Sequence, residues 1–240
     1  MVGLEEPIRE NGKVFPLHVP VDESHTVTVS GKVDRVDLYA MGEENFVRII
    51  DYKSGGKEFD VSQMAEGLNL QMLLYLFAIW RTQNDKYRNV RPAGILYMPA
   101  GNPKPILERD ATEETQKQAE QKSYAMSGLL LNDEQLLCAM EKDLNGKFIP
   151  VSQGKTGLKG KYLATIKEFA ALEAYTESLV AQMGEGLYRG EIAPDPIQAG
   201  MNPPCSYCDY RAICGHEPSD GCRSVPKRTM EDVIGTPDSQ

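Results

Sequence analysis

The chain has 240 residues, 41% of them hydrophobic and 25% charged, the composition of an ordinary globular protein with one large core and small appendages. Its formal charge of −9 and pI near 5.0 argue against a free-standing nucleic-acid binder, which carries a basic excess. They leave room for an acidic, metal-balanced site to which other subunits deliver nucleic acid.

The first six residues have neither a basic start nor an apolar core, and the longest apolar run, Met72 to Trp80, is too short for a membrane span. A cytoplasmic, monomeric chain without membrane association is expected. Residues 1 to 24 read as an edge strand interrupted by Pro16 and Pro20, with no helix before it. His18 and His25 in this region read as surface or strand residues and not as ligands.

Two β-rich runs follow, Val27 to Tyr39 and Phe46 to Tyr52, separated by the polar, glycine-containing Met41 to Asn45 expected of a hairpin loop. Strict alternation puts Val47, Ile49, Asp51 and Lys53 on one face of the second run. On the first run, Asp34 lies in line with Val36 and Leu38, while Asp37 points the other way. A carboxylate in an apolar row is costly to desolvate, and Lys53 brings one positive charge for two acids. Asp34 and Asp51 at adjacent strand ends could share one Mg²⁺, a hard ion that prefers carboxylate oxygens and keeps its waters. Lys53 would then stabilise phosphate charge or hold an attacking water. An inert ion pair at a strand end fits the spacing as well.

Ser54-Gly55-Gly56 reads as a flexible turn. From Val61 to Asn84 apolar residues recur at helical spacing around much of the surface, which predicts a central helix. Gln71 and Tyr75 lie one turn apart on it. If that face meets the strand ends, Gln71 can reach a metal-held water or Lys53, and Tyr75 a phosphate; otherwise both belong to a core helix. Val90 to Met98 predicts a buried strand, Pro99 to Pro105 a turn, Glu113 to Ala125 a polar helix, and Asp133 to Leu144 a shorter one with Cys138 as a packed thiol.

Residues 151 to 161 read as a glycine and lysine loop in which Lys155, Lys159 and Lys161 either touch DNA phosphates or are simply solvated. Ile166 to Leu187 predicts a long amphipathic helix stopped at Gly190. Cys205, Cys208 and Cys214 gather three thiols in a short stretch, which suggests zinc or an iron–sulfur cluster over a disulfide framework. His216 is expected to face solvent, and a short helix at "RTMEDVI" to precede a disordered tail.

The series G-x-x-D (Gly31, Asp34), D-x-K (Asp51, Lys53 in "IIDYKSG") and Q-x-x-x-Y (Gln71, Tyr75 in "LQMLLYL") resembles the RecB-type branch of the PD-(D/E)XK nucleases. The wording "GKVDRVD", "RIIDYKSG" and "PCSYCDYRAICGHE" is closest to the C-terminal nuclease domain of AddB-type helicase-nuclease subunits. The resemblance implies an α/β, restriction-endonuclease-like fold: a mixed central sheet flanked by helices, with a C-terminal cysteine-rich loop. It divides the chain into a nuclease domain over 1–200, a cluster-binding segment over 201–217 and a polar tail over 218–240.

It implies a Mg²⁺- or Mn²⁺-dependent DNA exonuclease acting with an AddA-type helicase partner in double-strand break repair and recombination. Asp34, Asp51 and the Tyr52 carbonyl would be metal ligands, with Lys53, Gln71 and Tyr75 completing the catalytic set. Cys205, Cys208 and Cys214 would be three ligands of a [4Fe-4S] cluster whose fourth cysteine lies upstream. The sequence has no cysteine before Cys138 and no helix before the first catalytic strand, so a fragment with an empty, partial or zinc-filled cysteine site is expected. Cys222 is the remaining candidate for the fourth ligand. A catalytically silent nuclease-fold module that binds DNA or a partner, and a stand-alone Cas4-like nuclease, are the alternative readings.

Overall fold

The computed structural model describes residues 3–54, 58–101, 112–200 and 204–235. The chain divides into two compact units, each made of separated stretches. One comprises Met1–His18, Thr28–Phe59 and Gln71–Ala174; the other comprises Val19–Val27, Asp60–Leu70 and Tyr175–Gln240.

The strands and helices, in chain order, begin with β1 (Gly3–Ile8), β2 (Leu17–Pro20), β3 (Thr26–Val29), β4 (Gly31–Met41) and β5 (Glu44–Lys53). Then come α1 (Val61–Ala65), α2 (Gln71–Arg81), β6 (Val90–Pro99), α3 (Glu113–Ser123), β7 (Ser127–Leu131) and α4 (Glu134–Met140). The chain continues through β8 (Val151–Gly154), β9 (Gly157–Gly160), β10 (Leu163–Ala164) and α5 (Ile166–Tyr188). The last elements are β11 (Ile197–Gln198), α6 (Arg211–Cys214), β12 (Arg223–Ser224) and α7 (Met230–Ile234).

The first unit is built on a mixed sheet of order β1-β4-β5-β6-β7-β10. β4 runs antiparallel to both β1 and β5, β5 runs parallel to β6, and β7 runs antiparallel to β6. β5 and β6 are central and apolar on both faces, as strands covered on two sides must be. Ile50, Leu96 and Leu130 pack against Leu137 of α4 and against Leu144, Ile149 and Val151. Helix α2, apolar nearly all round, packs on β5 and β6 with Leu73, Leu76, Phe77 and Ile79 buried.

Several expectations change. The single helix expected over 61–84 is broken into α1 and α2, because Gly67 and Asn69 take left-handed backbone angles of +80° and +60°. The apolar spacing ran across this break and hid it. The loop expected over 151–161 is the β8–β9 hairpin, closed at Gly157 with φ +127°. Cys138 is exposed, since the seven-residue α4 buries Leu136 and Leu137 and turns the thiol outward. Strands β1 and β7 were not anticipated. The turn expected over 99–105 lies largely outside the described residues, as does the tail beyond 235.

One buried carboxylate fixes a surface loop of this unit. Glu141 accepts hydrogen bonds from the backbone N–H groups of Lys147, Phe148 and Ile149, each at 2.9 Å. Burial pushes its pKa up, but these donors outweigh burial and hold it below the usual carboxylate range. Glu141→Ala strands three donors and is expected to lower stability by about 2–3 kcal/mol in urea unfolding at pH 7. A depressed folded pKa gives stability that is complete above the ordinary carboxylate range and fades as pH falls through the folded value. The gap between parent and variant should therefore narrow in acid.

In the second unit, Asp60 caps α1, and Ser62 Oγ accepts from the Arg228 N–H at 2.9 Å. Glu66 meets both Arg223 and Arg228, at 3.3 and 3.2 Å. The Thr229 and Asp232 pair forms a reciprocal cap that starts α7, the short helix expected there. Among the described residues, no helix is long and apolar enough to cross a membrane.

Candidate active site

The site grows from the end of the β4–β5 ladder. Gly42, with φ +63°, closes a two-residue turn that pairs Met41 with Glu44. From there the register runs to Arg35 opposite Ile50, where the ladder stops, and β4 continues with β1 as its partner. One residue further the two strands present Asp34 and Asp51. The Tyr52 N–H, which would have continued the ladder, donates instead to Asp34 Oδ2 at 3.0 Å. In an extended strand a residue's N–H and C=O point to the same edge. The Tyr52 carbonyl therefore also faces the gap beside Asp34.

Lys53 Nζ lies 2.6 Å from Asp51 Oδ2. That oxygen is buried and has no well-directed hydrogen-bond donor, so the contact is one of charge and not an aligned hydrogen bond. Across the sheet Asp51 pairs with Tyr97, whose pKa is pushed up to about 12 by burial first and by the Asp51 charge second. An under-satisfied buried carboxylate oxygen, a second carboxylate in line with it and a carbonyl facing the same gap make a donor set suited to a hard divalent cation. Asp51 and Lys53 thus share one face of β5, and the register sets Asp34 of β4 beside them.

The helix residues of the expected site are placed less directly. Gln71 Nε2 lies 3.3 Å from the Tyr75 hydroxyl, so the two act as neighbours. The hydroxyl rests on Gly31, the first residue of β4, where a side-chain carbon would overlap it. Gly31 thus seats Tyr75 three residues before Asp34, and Tyr75 is largely buried. Among the described residues, no hydrogen bond carries Gln71 or Tyr75 to Asp51 or Lys53. Gly31→Ala is expected to cost about 1–3 kcal/mol by overpacking. In a Tyr75→Ala background the same change should cost much less, a coupling that a double-mutant cycle in urea would measure.

On the opposite face of the same strands is a charge network that sequence reading missed. Asp37, 7% exposed, receives Arg35 through Nε and Nη2, both at 3.0 Å, and Arg48 through Nε and Nη2 at 3.1 and 3.0 Å. Burial alone would raise its pKa, but the two guanidiniums hold it below the carboxylate range. The Tyr52 side chain, after Asp37, helps hold Arg35 in its charged form. These residues line a cavity of about 190 Å³ with Leu136 and Met140. The available signal was the two-residue turn: it sets Asp37 directly opposite Arg48.

In the second unit, Cys205, Cys208 and Cys214 lie on the 3-10 turn Pro204–Tyr207, just after it, and at the end of α6. Among the described residues, no three cysteine, histidine or acidic side chains gather closely enough to hold a metal. The arrangement of these cysteines does not fit a closed four-ligand cluster. His216 does not face solvent as expected: its side chain is 11% exposed, with Nε2 3.0 Å from the Gly221 carbonyl oxygen. It lines a cavity of about 200 Å³ with Cys205 and Cys222.

Two carboxylates and a lysine thus meet at a splayed strand end of a mixed sheet flanked by helices, the fold of a nuclease. The chain belongs to the PD-(D/E)XK nuclease superfamily, whose family model matches residues 2–215. It is 33% identical to the B-type subunit of the ATP-dependent helicase/deoxyribonuclease of Thermoanaerobacter sp. (strain X514), over 90% of this chain and 19% of that protein. It is 34% identical to the corresponding helicase/deoxyribonuclease protein of Clostridioides difficile (strain 630), over 97% of this chain and 21% of the relative. The Clostridium acetobutylicum counterpart matches at 33%, over 97% of this chain and 21% of the relative. The chain therefore spans about a fifth of the length of the curated relatives it matches.

Proposed function

We propose that this chain is a divalent-metal-dependent deoxyribonuclease domain that cuts DNA as an exonuclease in double-strand break repair and recombination, together with an AddA-type helicase partner. The observation that carries this reading is the juxtaposition of Asp34, Asp51 and Lys53 where the β4–β5 ladder opens. The Asp34 and Asp51 carboxylates and the Tyr52 carbonyl would hold Mg²⁺ or Mn²⁺. When bound, such an ion supplies an activated water and neutralises phosphate charge. Lys53 steadies the charge that develops on the phosphate and helps align the water, its ammonium being fixed by Asp51. Gln71 and Tyr75 orient the backbone of the strand, and Lys155, Lys159 and Lys161 on the β8–β9 hairpin and just beyond it contact phosphates without reading sequence.

The test is cleavage of labelled single-stranded DNA as Mg²⁺ or Mn²⁺ is titrated into metal-stripped protein, beside Asp51→Asn. Metal-dependent release of short products by the parent and none by the variant is the expected result. Cleavage without divalent ion, or undiminished in Asp51→Asn, overturns the reading. DNA binding by the parent without cleavage would favour the silent binding module instead.

A further inference from the structure

The residues just outside the carboxylate end of the sheet are unlike the rest of the chain. Asp51 is level with Tyr97 on β6, and Tyr97 with Ser127 on β7, two strand spacings or about 10 Å away. Met126, immediately before β7, donates its N–H to the Phe148 carbonyl oxygen at 2.9 Å. Phe148 is 52% exposed, and Lys147 Nζ stands 5.2 Å from its ring centre. A second pair stands beside it. Ser127 Oγ accepts from the Phe59 N–H at 3.2 Å, the Phe59 ring meets Tyr162 edge-on at 4.9 Å, and Lys161 Nζ lies 5.0 Å from the Tyr162 ring centre.

Single exposed apolar side chains are common on protein surfaces. Two features set Phe148 apart. Its loop is locked by the buried Glu141 carboxylate, so the ring is presented on rigid backbone and loses little freedom on binding. And residues 142 to 165 hold five lysines and one acid, in a chain whose formal charge is −9. This local excess of lysine favours a polyanion, with Lys161 Nζ 3.9 Å from the exposed Glu58 carboxylate, and aromatic rings among cations offer stacking to unpaired bases, whose faces a duplex hides.

We propose that this rim is a single-stranded DNA platform: bases stack on Phe148 and Tyr162 while Lys147 and Lys161 meet the phosphates, leading the strand to Asp34 and Asp51. This rests on the nuclease reading above and names the side chains that receive the strand outside the carboxylates. The platform ignores sequence, because every base has a stacking face.

The test is fluorescence anisotropy of a labelled single-stranded oligothymidine and of a labelled duplex, in Ca²⁺, with parent, Phe148→Ala and Phe148→Trp. Phe148→Ala should weaken oligothymidine binding about tenfold and duplex binding less than twofold, and Phe148→Trp should bind as the parent does. Oligothymidine affinity of Phe148→Ala within twofold of the parent, an equal loss for both DNAs, or no measurable binding of oligothymidine by the parent overturns the platform. Lys53→Ala, measured in these binding assays and in the Mg²⁺ cleavage assay above, separates the two claims. Should it still cleave, the catalytic reading falls while the platform is judged on binding alone. Should Phe148→Ala bind normally while Lys53→Ala fails to cleave, the platform falls and the catalytic reading stands.

Discussion

Replacing Lys53 by alanine is expected to abolish DNA cleavage while leaving the fold in place. The ammonium is half-shielded at the strand end and touches Asp51 Oδ2 at 2.6 Å, yet it packs no core. On the proposed reading, its loss removes the cation that Asp51 fixes beside the scissile phosphate. Removing one preorganised electrostatic partner of this kind costs about 10²–10³ in turnover. Lys53→Met, which keeps the aliphatic stem, should lose as much activity, because the charge and not the packing matters. Circular dichroism of both variants should match the parent, while their urea midpoints at neutral pH fall modestly and alike, because the buried Asp51 carboxylate loses its counter-charge. Loss of activity together with collapse of the fold would assign Lys53 a structural role instead.

The largest stability effect is expected from the other face of the same strands. Asp37→Ala leaves the guanidiniums of Arg35 and Arg48 facing each other without the carboxylate that both contact at 3.0 Å. Breaking a buried pair by removing one member costs about 3–5 kcal/mol, and the partial exposure of both arginines points to the lower figure. Glu44→Ala, which breaks an exposed pair with Arg91 in the same sheet, should cost about 1 kcal/mol or less. Urea midpoints of the two variants test the contrast. With the Asp37 pKa depressed in the folded state, its contribution holds above the ordinary carboxylate range and is lost as pH falls through the folded value. The Asp37→Ala penalty should therefore shrink at low pH.

The centre of the site was legible because a strand has a period of two. Asp51 and Lys53 interrupt one apolar row of β5 and Asp34 one of β4, which alternation shows, while the register sets the two rows side by side. The turn at Gly42 and the apolar runs of β5 and β6 announced the central strands for the same reason. What escaped was set by tertiary partners. β1 reads "GLEEPI", with two acids and a proline, and is a strand because β4 offers it an edge. β7 reads "SGLLL", too short to separate from a buried helix turn. The break between α1 and α2 turns on the left-handed backbone of Asn69 within a continuous apolar pattern, whereas Gly67 alone is tolerated in many helices. The Asp37 network was half visible: its outward direction could be read, but its arginine partners come from the register.

The two compact units are each assembled from three lengths of chain that alternate along the sequence. On a ribosome, the pieces 19–27 and 60–70 emerge long before residues 175–240, which complete their unit. They must wait for that later stretch to complete their unit, while the sheet unit can close once residue 174 has left the exit tunnel. A single cut in the gene on the C-terminal side of residue 174 therefore strands those two early pieces, so neither unit can be excised as one continuous expression fragment.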